Sequence, residues 1–300
     1  MQHVYNELTE KSVGKVLIDE PFKKHTTIKI GGPADLFIRP KSIDSLKDAL
    51  AILKKHDLPI RVIGRGSNLL TPDEGIRGAV IQFGKGLDHL EVLDDQIRVG
   101  GGYPLVRLAA MISRESLSGL EFAAGIPGSV GGAVFMNAGA HGSDISKILV
   151  KAHILFEDGT TEWLTNEQMQ FDYRKSVLQD ERKGYCIEAV FQLARGDKKA
   201  VLKEMKKHKE YRRETQPWDY PCAGSIFRNP LPNHAGQLVE ELGLKGHRIG
   251  GAKISDMHGN FIVNEGDASY HDVIVLIELI KEQVKAEYQI EMMTEVEILS

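Results

Sequence analysis

Gly125-Ile126-Pro127-Gly128-Ser129-Val130-Gly131-Gly132-Ala133-Val134-Phe135-Met136-Asn137-Ala138-Gly139-Ala140-His141-Gly142 has glycine at six of eighteen positions and no Asp, Glu, Lys or Arg at any. A stretch this apolar is not a solvated loop. Glycine lets a backbone take positive φ and approach another group closely. The run therefore suits a backbone lying flat against a large, partly apolar ligand, with its N–H groups turned to phosphates. The plainer alternative is a buried glycine-rich crossover.

Sixty residues earlier, Ile63-Gly64-Arg65-Gly66-Ser67-Asn68-Leu69 follows a short apolar run, Ile60 to Ile63. Consecutive amides in such a turn form an anion nest suited to a phosphate. No Gly-Lys-Ser/Thr follows, so this is not a P-loop. Leu69 stands where the dinucleotide fingerprint needs its third glycine. Glycines also cluster at 75–86, 100–102 and 243–259, and the whole chain has 30.

Around these segments the pattern alternates strand and helix. A helix is predicted over about Gln2 to Ser12 and a strand over Ala34 to Arg39. Ser42 caps a helix bearing Leu46, Leu50 and Leu53, and Ile60 to Ile63 completes a βαβ unit. Strands follow at Ala79 to Phe83, Leu90 to Leu93 and Ile97 to Val99, with Pro104 in the first turn of a helix carrying Leu105, Leu108 and Ile112. Ile148 to Phe156 and Thr161 to Leu164 flank the hairpin signal Asp158-Gly159. Thr165 to Gln168 fits a capping box, and Tyr185 to Leu193 reads as a strand. Composition shifts near 195–215, where a charged helix (Asp197 to Arg213) meets a Pro-rich loop (Glu214 to Pro232). Beyond it lie helices at His234 to Leu242 and Ser269 to Tyr288, and strands at Ala252 to Ser255, Asn260 to Asn264 and Thr294 to Leu299. The expected organisation is residues 1–85 and 86–200 as two subdomains and 201–300 as a third, smaller α/β domain, an α+β protein.

Three hundred residues exceed the size at which one core stops growing. A net charge of −4 argues against a nucleic-acid binder, which carries a basic domain. The longest apolar run, Val273 to Ile280, is interrupted by Glu278 and too short to span a bilayer. Cys186 and Cys222 are the only cysteines; they fit neither a disulfide framework nor a metal site. These features point to a reduced, cytoplasmic protein with no membrane or nucleic-acid partner and no metal; its protein partners are unknown.

The two glycine segments resemble the FAD-binding domain of vanillyl-alcohol-oxidase-type flavoproteins, in which such a turn and such a stretch hold the pyrophosphate and the isoalloxazine. The resemblance implies cofactor contacts at Gly64, Arg65, Gly66, Ser67, Asn68 and Leu69. It implies more at Gly125, Ile126, Pro127, Gly128, Ser129, Gly131, Gly132, Asn137 and Ala138. Some members tether the flavin through His or Cys. His25 and His141 are the histidines in question, but a satisfied or exposed role is the plainer reading of each and the FAD is expected to be non-covalent. Three further segments, Phe171-Asp172-Tyr173-Arg174-Lys175-Ser176, Ala223-Gly224-Ser225-Ile226-Phe227-Arg228-Asn229-Pro230 and Thr294-Glu295-Val296, narrow the resemblance. With Ala235 to Glu240 and Gly243 to Gly246, they are similar to the UDP-N-acetylenolpyruvoylglucosamine reductase family, over Thr26 to the C-terminus and in order. No insertion lies between Lys183 and Phe191, so the chain resembles the shorter branch that lacks a substrate-covering tyrosine loop.

That resemblance implies two half-reactions. NADPH reduces FAD, and a hydride then passes from N5 to C3 of the enolpyruvyl ether of UDP-N-acetylglucosamine, giving UDP-N-acetylmuramate for peptidoglycan. Arg174 matches the cation facing the substrate carboxylate, Ser225 the proton donor to C2 and Glu295 the acidic residue that polarises substrate or relays the proton. Arg228 and Asn229 are implied substrate contacts. On residue pattern alone, Arg174 reads as a surface ion pair, Glu295 as an edge charge on a strand, and Lys203 to Arg213 as a solvated helix face. Neither Ser129 nor Ser225 sits in a Gly-x-Ser-x-Gly elbow, which excludes a hydrolase of that type. The alternatives are an oxidase of the same flavin fold and a non-catalytic flavin-binding module.

Overall fold

The computed structural model describes residues 1–299. They divide into two compact units that are discontinuous in sequence. The first comprises Met1–Ile18, Leu36–Arg65 and Gly78–Tyr211; the second comprises Asp19–Asp35, Gly66–Arg77 and Arg212–Ser300.

Most of the four-stranded sheet with order Gly14–Pro21, Pro33–Pro40, Ile76–Gln82, Ile60–Ile63 lies in the first unit. Ile60–Ile63 runs parallel to its neighbour, in register Ile60 with Ala79. Helix α1 (Gln2–Glu10) and helix α2 (Ile43–Lys55) bury Val4, Leu8, Leu46, Leu50 and Leu53 in a core with Leu36, Ile38 and Ile81. Ser42 caps α2 as its sequence predicts, accepting from Ser45 N in a reciprocal box. The predicted βαβ strands share this sheet, with Ile76–Gln82 inserted between them.

The second sheet of this unit is antiparallel throughout, in order Thr161–Thr165, Leu149–Phe156, Gly184–Gln192, Gln96–Gly100, Leu90–Leu93. Its inner face (Ile97, Val99, Ala152, Ile154, Ala189, Phe191) packs on helix α3 (Leu105–Arg114), through Leu105, Leu108 and Ile112, and on helix α4 (Val130–Phe135), through Val130 and Val134.

In the second unit, helix α6 (Ala235–Glu241) and helix α7 (Tyr270–Tyr288) share a core with Ile254, Ile262, Ala223, Phe227, Ile28, Ile30 and Leu70. A three-stranded antiparallel sheet joins Arg248–Ile249, Ala252–Ile254 and Ile262–Asn264. Glu297–Ile298 pairs in parallel with Leu69–Leu70. No helix among the described residues is long and apolar enough to cross a membrane.

Four details differ from the sequence reading. Gly14–Pro21 is a strand without a clear alternating signal, since much of it is half-buried. Thr165 and Gln168 exchange both capping-box bonds, Gln168 N to Thr165 Oγ1 at 3.3 Å and Thr165 N to Gln168 Oε1 at 2.8 Å, yet close only a turn. Pro104 is the N-cap of α3 rather than its first helical residue. The last strand starts at Glu297, so Glu295 precedes it.

On the outer face of the antiparallel sheet Glu188 is buried, and Arg98 Nε and Nη2 donate to its two oxygens at 2.7 and 2.9 Å. His89 Nε2 lies 2.6 Å from Oε1. Burial pushes this carboxyl up, but the hydrogen bonds from Arg98 and His89 more than offset it and hold the carboxyl below its ordinary value. A depressed carboxylate stabilises the fold above its unfolded pKa and loses that contribution as the pH falls through the folded value. Glu188→Gln should therefore cost about 1.5–3 kcal/mol at pH 7. The gap to the parent should narrow as the pH drops below about 4.3, read by urea unfolding across that range.

Candidate functional site

The two glycine segments of the sequence meet in the first unit. Gly64 faces Ser129, and a side chain at position 64 would collide with Ser129 Oγ. The stretch after Ser129 is not flat, as the sequence reading expected, but turns into the short helix α4, with Ser129 as N-cap accepting from Gly132 N. The amides of Val130 and Gly131 donate to Tyr103 O and Gly101 O, at 2.9 and 2.8 Å. Those N–H groups are therefore satisfied inside the protein rather than presented to a phosphate. Gly131 is needed for packing: a Cβ there would stand 2.6 Å from Cys186 O and 3.1 Å from Gly101 O. Gly132 differs. It is exposed, and its Cβ would meet only Ser129 Oγ at 3.5 Å, so no internal contact demands glycine at this position. Glycine at such a position leaves the backbone open to close approach by another group.

Asn137 follows α4 with φ +43 and is buried. Its Nδ2 donates to Asp172 O at 3.0 Å and its Oδ1 accepts from Ser146 N at 3.0 Å, so both ends of the side chain act as a strut. The strut leads to Arg174. Asp172 and Lys175 exchange two backbone hydrogen bonds, each 3.1 Å, and Tyr173 and Arg174 form the corner. Arg174 has φ +57. Left-handed backbone at a non-glycine residue costs about 1–3 kcal/mol and gathers at functional sites. Its Nη2 donates to Gly139 O at 2.8 Å, and the guanidinium lies over the Tyr173 ring.

In the second unit Gly66 has φ +63 and packs against His25 O, where a side chain would collide. Among the described residues no hydrogen bond takes up the amides of Gly66, Ser67 and Asn68. Three consecutive unpartnered amides form the nest that a diphosphate fits. Ser67 O lies 3.8 Å from where a Gly224 Cβ would stand, so this turn lies beside the one that carries Ser225. Asn68 Nδ2 donates to Glu295 O at 2.9 Å, and Glu295 N donates to Ile226 O at 2.7 Å. Asn68, Ile226 and Glu295, far apart in sequence, are thus joined by hydrogen bonds, and Ser67 and Ser225 are their immediate chain neighbours. Arg228 Nε is a buried donor with no partner among the described residues, and Asn229 Oδ1 accepts from Ala235 N at the start of α6. Arg174 belongs to the first unit, and Ser225 and Glu295 to the second.

The remaining candidates have plain roles. His25 is buried, 2.9 Å from Glu20 Oε1, and His141 is exposed and stacked on His208. Helix α5 (Lys198–Thr215) buries only Val201 and is solvated, as its charge predicts. Two residues that sequence reading did not single out shape the site. Thr27 donates from Oγ1 to Cys222 O at 2.7 Å and from its amide to Gly66 O at 3.0 Å. Gln179 contacts the Arg174 turn. Neither has a sequence signature, because a single threonine or glutamine binding a carbonyl leaves no pattern.

Close glycine packing at Gly64 and Gly131 in the first unit and an anion nest at Gly66 to Asn68 in the second are features of an FAD-binding flavoprotein, and residues 34–165 match the model of the FAD binding domain. Residues 216–299 match that of the C-terminal domain of UDP-N-acetylenolpyruvoylglucosamine reductase. The Bacillus subtilis UDP-N-acetylenolpyruvoylglucosamine reductase is 64% identical over 299 residues, 100% of this chain and 99% of that one. The crystal structure of the Thermus caldophilus enzyme of that name superposes with a TM-score of 0.81 at 35% identity, over 95% of this chain and 98% of its own. A berberine bridge enzyme variant shares the fold alone, at TM-score 0.53 and 16% identity over 65% of this chain and 44% of that one. The chain belongs to the UDP-N-acetylenolpyruvoylglucosamine reductase family.

The two adjacent glycines of α4 should respond oppositely to alanine. Gly131→Ala must push the helix off the sheet and should lower unfolding stability by about 1–3 kcal/mol. Gly132→Ala should fold at least as well, since alanine favours a helix by about 1 kcal/mol. It should nevertheless weaken FAD binding about tenfold, or about 1.4 kcal/mol, in a flavin titration.

Proposed function

We propose that this chain reduces UDP-N-acetylglucosamine enolpyruvate to UDP-N-acetylmuramate in peptidoglycan precursor synthesis, with FAD as cofactor and NADPH as hydride donor. The observation that carries this reading is the cluster in the second unit: an anion nest at Gly66 to Asn68, hydrogen-bonded through Asn68 to Glu295 and adjacent to the Ser225 turn. An oxidase of the same fold has no need of that serine and glutamate beside the nest, and a non-catalytic module has no need of the strained Arg174.

FAD fits the residues present. Within the first unit Gly132 leaves open backbone beside Ser129, and within the second the 66–68 amides face no internal partner among the described residues. Bound FAD supplies the chemistry of accepting a hydride from NADPH and delivering one to C3 of the substrate. The protein's own part is charge and proton control. As C3 gains a hydride, negative charge grows at C2 and its carboxylate; the Arg174 guanidinium, with its planar fork, opposes that charge. The Ser225 hydroxyl then gives its proton to C2, saturating the double bond. A serine is a weak acid and works only if held at the carbanion. Its neighbour Ile226 is fixed by Glu295 N and by the Phe227–Asn260 amide exchange, in which Phe227 N donates to Asn260 Oδ1 and Asn260 Nδ2 to Phe227 O. Glu295 polarises the substrate or relays the serine's proton.

Arg228, with its unpartnered buried Nε, takes an anionic group of the sugar nucleotide, and Asn229 lines the same segment. The functional division is 1–85 and 86–200 for the flavin and 201–300 for the substrate; one core lies wholly within 86–200, while Ile28, Ile30 and Leu70 join the core formed mostly by 201–300. FAD is held without a covalent bond, as His25 and His141 are both engaged elsewhere. A soluble nucleotide-sugar substrate supports a cytoplasmic enzyme, and the uninterrupted strand over 184–192 supports the branch that lacks a tyrosine loop.

The purified protein should be yellow, bleach with NADPH and recover its colour on addition of the enolpyruvyl sugar nucleotide. A protein that binds no FAD would overturn the reading. Ser225→Ala should retain flavin reduction by NADPH while substrate reduction falls about 10²- to 10⁴-fold in rapid-mixing spectra. Equal loss of both half-reactions would remove Ser225 as the proton donor.

A further inference from the structure

The left-handed conformation of Arg174 has to be held by its surroundings. In a type II turn the third residue takes positive φ, and glycine is the usual occupant. Here an arginine occupies it, at φ +57. The turn is tied at several points to the end of α4. Asn137 Nδ2 donates to Asp172 O, and Ser176 Oγ donates to Phe135 O at 2.7 Å. Gln179 reaches the carbonyl of Arg174 itself: its Nε2 donates to Arg174 O at 3.2 Å and to Phe135 O at 3.0 Å. One side-chain amide thus joins the strained residue to the last carbonyl of the helix that carries Gly131 and Gly132. Gln179 is itself fixed. It ends a short 3₁₀ turn (Val177–Gln179) whose Val177 and Leu178 are buried, and Val177 N donates to Met169 O at 2.9 Å.

We infer that Gln179 is a positioning residue for Arg174: by clamping the Arg174 carbonyl to Phe135 O it fixes the turn conformation that aims the guanidinium. The inference rests on the role proposed above for Arg174. Without the clamp the carbonyl of a non-glycine residue at positive φ loses this hold, and the peptide plane shifts toward the ordinary region of φ/ψ space. The Arg174 side chain then leaves from a different direction. Gln179 touches neither reacting atoms nor flavin in this account, so it acts only through Arg174.

The test uses the FAD-loaded full chain and measures the two half-reactions separately by stopped flow. Gln179→Leu removes both donors at similar volume, and Gln179→Glu keeps the shape but places a carboxylate against two carbonyls. Either should slow reoxidation of the NADPH-reduced flavin by the enolpyruvyl sugar nucleotide by about tenfold to a hundredfold, the scale of a misplaced catalytic group. Flavin reduction by NADPH should stay within about twofold of the parent. Combined with Arg174→Ala, the Gln179→Leu change should alter reoxidation by less than about twofold, because a residue acting only through Arg174 has nothing left to position.

Equal loss of both half-reactions in both variants, or a double variant slower than Arg174→Ala by the full single-variant factor, would show a general structural role and overturn the inference. A slow Arg174→Ala beside a parent-like Gln179→Leu overturns Gln179 alone. An Arg174→Ala variant with normal reoxidation overturns both readings.

Discussion

The first unit depends on one approach of backbone to backbone. At Gly131, helix α4 comes so close to the antiparallel sheet that a Cβ would stand 2.6 Å from Cys186 O. Because it can, the amides of Val130 and Gly131 reach Tyr103 O and Gly101 O, and Ser129 comes to face Gly64. The other end of the same helix then offers Phe135 O to Ser176 and Gln179, and Asn137 continues to Asp172. The strained turn at Arg174 is the last member of this series. Its position is therefore a property of sheet–helix packing more than of its own loop.

Elements with strong local chemistry were legible from sequence. Ser42 and Ser269 cap α2 and α7 because each is followed by an apolar run at helical spacing that has a core to enter. Thr165 and Gln168 carry the same box and form the same two bonds, but the chain soon enters the Asp172–Lys175 hairpin, so no helix grows. Helix α4 defeated the reading for the opposite reason. Its sequence, Val-Gly-Gly-Ala-Val-Phe, has poor helix propensity, and only tertiary packing makes it helical. The strand Gly14–Pro21 gave no sign, because its burial does not alternate cleanly.

At the candidate site, the motifs identified which residues belong and physics had to supply what each does. Gly64, Gly66, Gly131 and Gly132 look alike in sequence. One gives room to a hydroxyl, one takes positive φ under a carbonyl, one lets helix touch sheet, and one stands open. In the longer segment the amides of Val130 and Gly131 are bonded internally, whereas no internal bond takes up those of Gly66 to Asn68 among the described residues. Nothing in Tyr-Arg-Lys reveals a left-handed arginine, since φ is imposed by the surrounding hydrogen bonds. Arg228 and Asn229 differ in the same way, one with an unpartnered nitrogen and the other already capping α6.

The second unit is assembled from three separated stretches, and this has a consequence for its synthesis. Ile28, Ile30 and Leu70 belong to the core built around α6 and α7, and Leu69–Leu70 is the strand on which Glu297–Ile298 lies. A ribosome makes chain from the N-terminus at about 5–20 residues per second. Residues 19–35 and 66–77 therefore emerge long before the helices and strand that bury them. The first unit ends at Tyr211. The order of translation thus favours a flavin-side framework that forms early. The Asn68 side chain likewise emerges long before Glu295, whose carbonyl it binds.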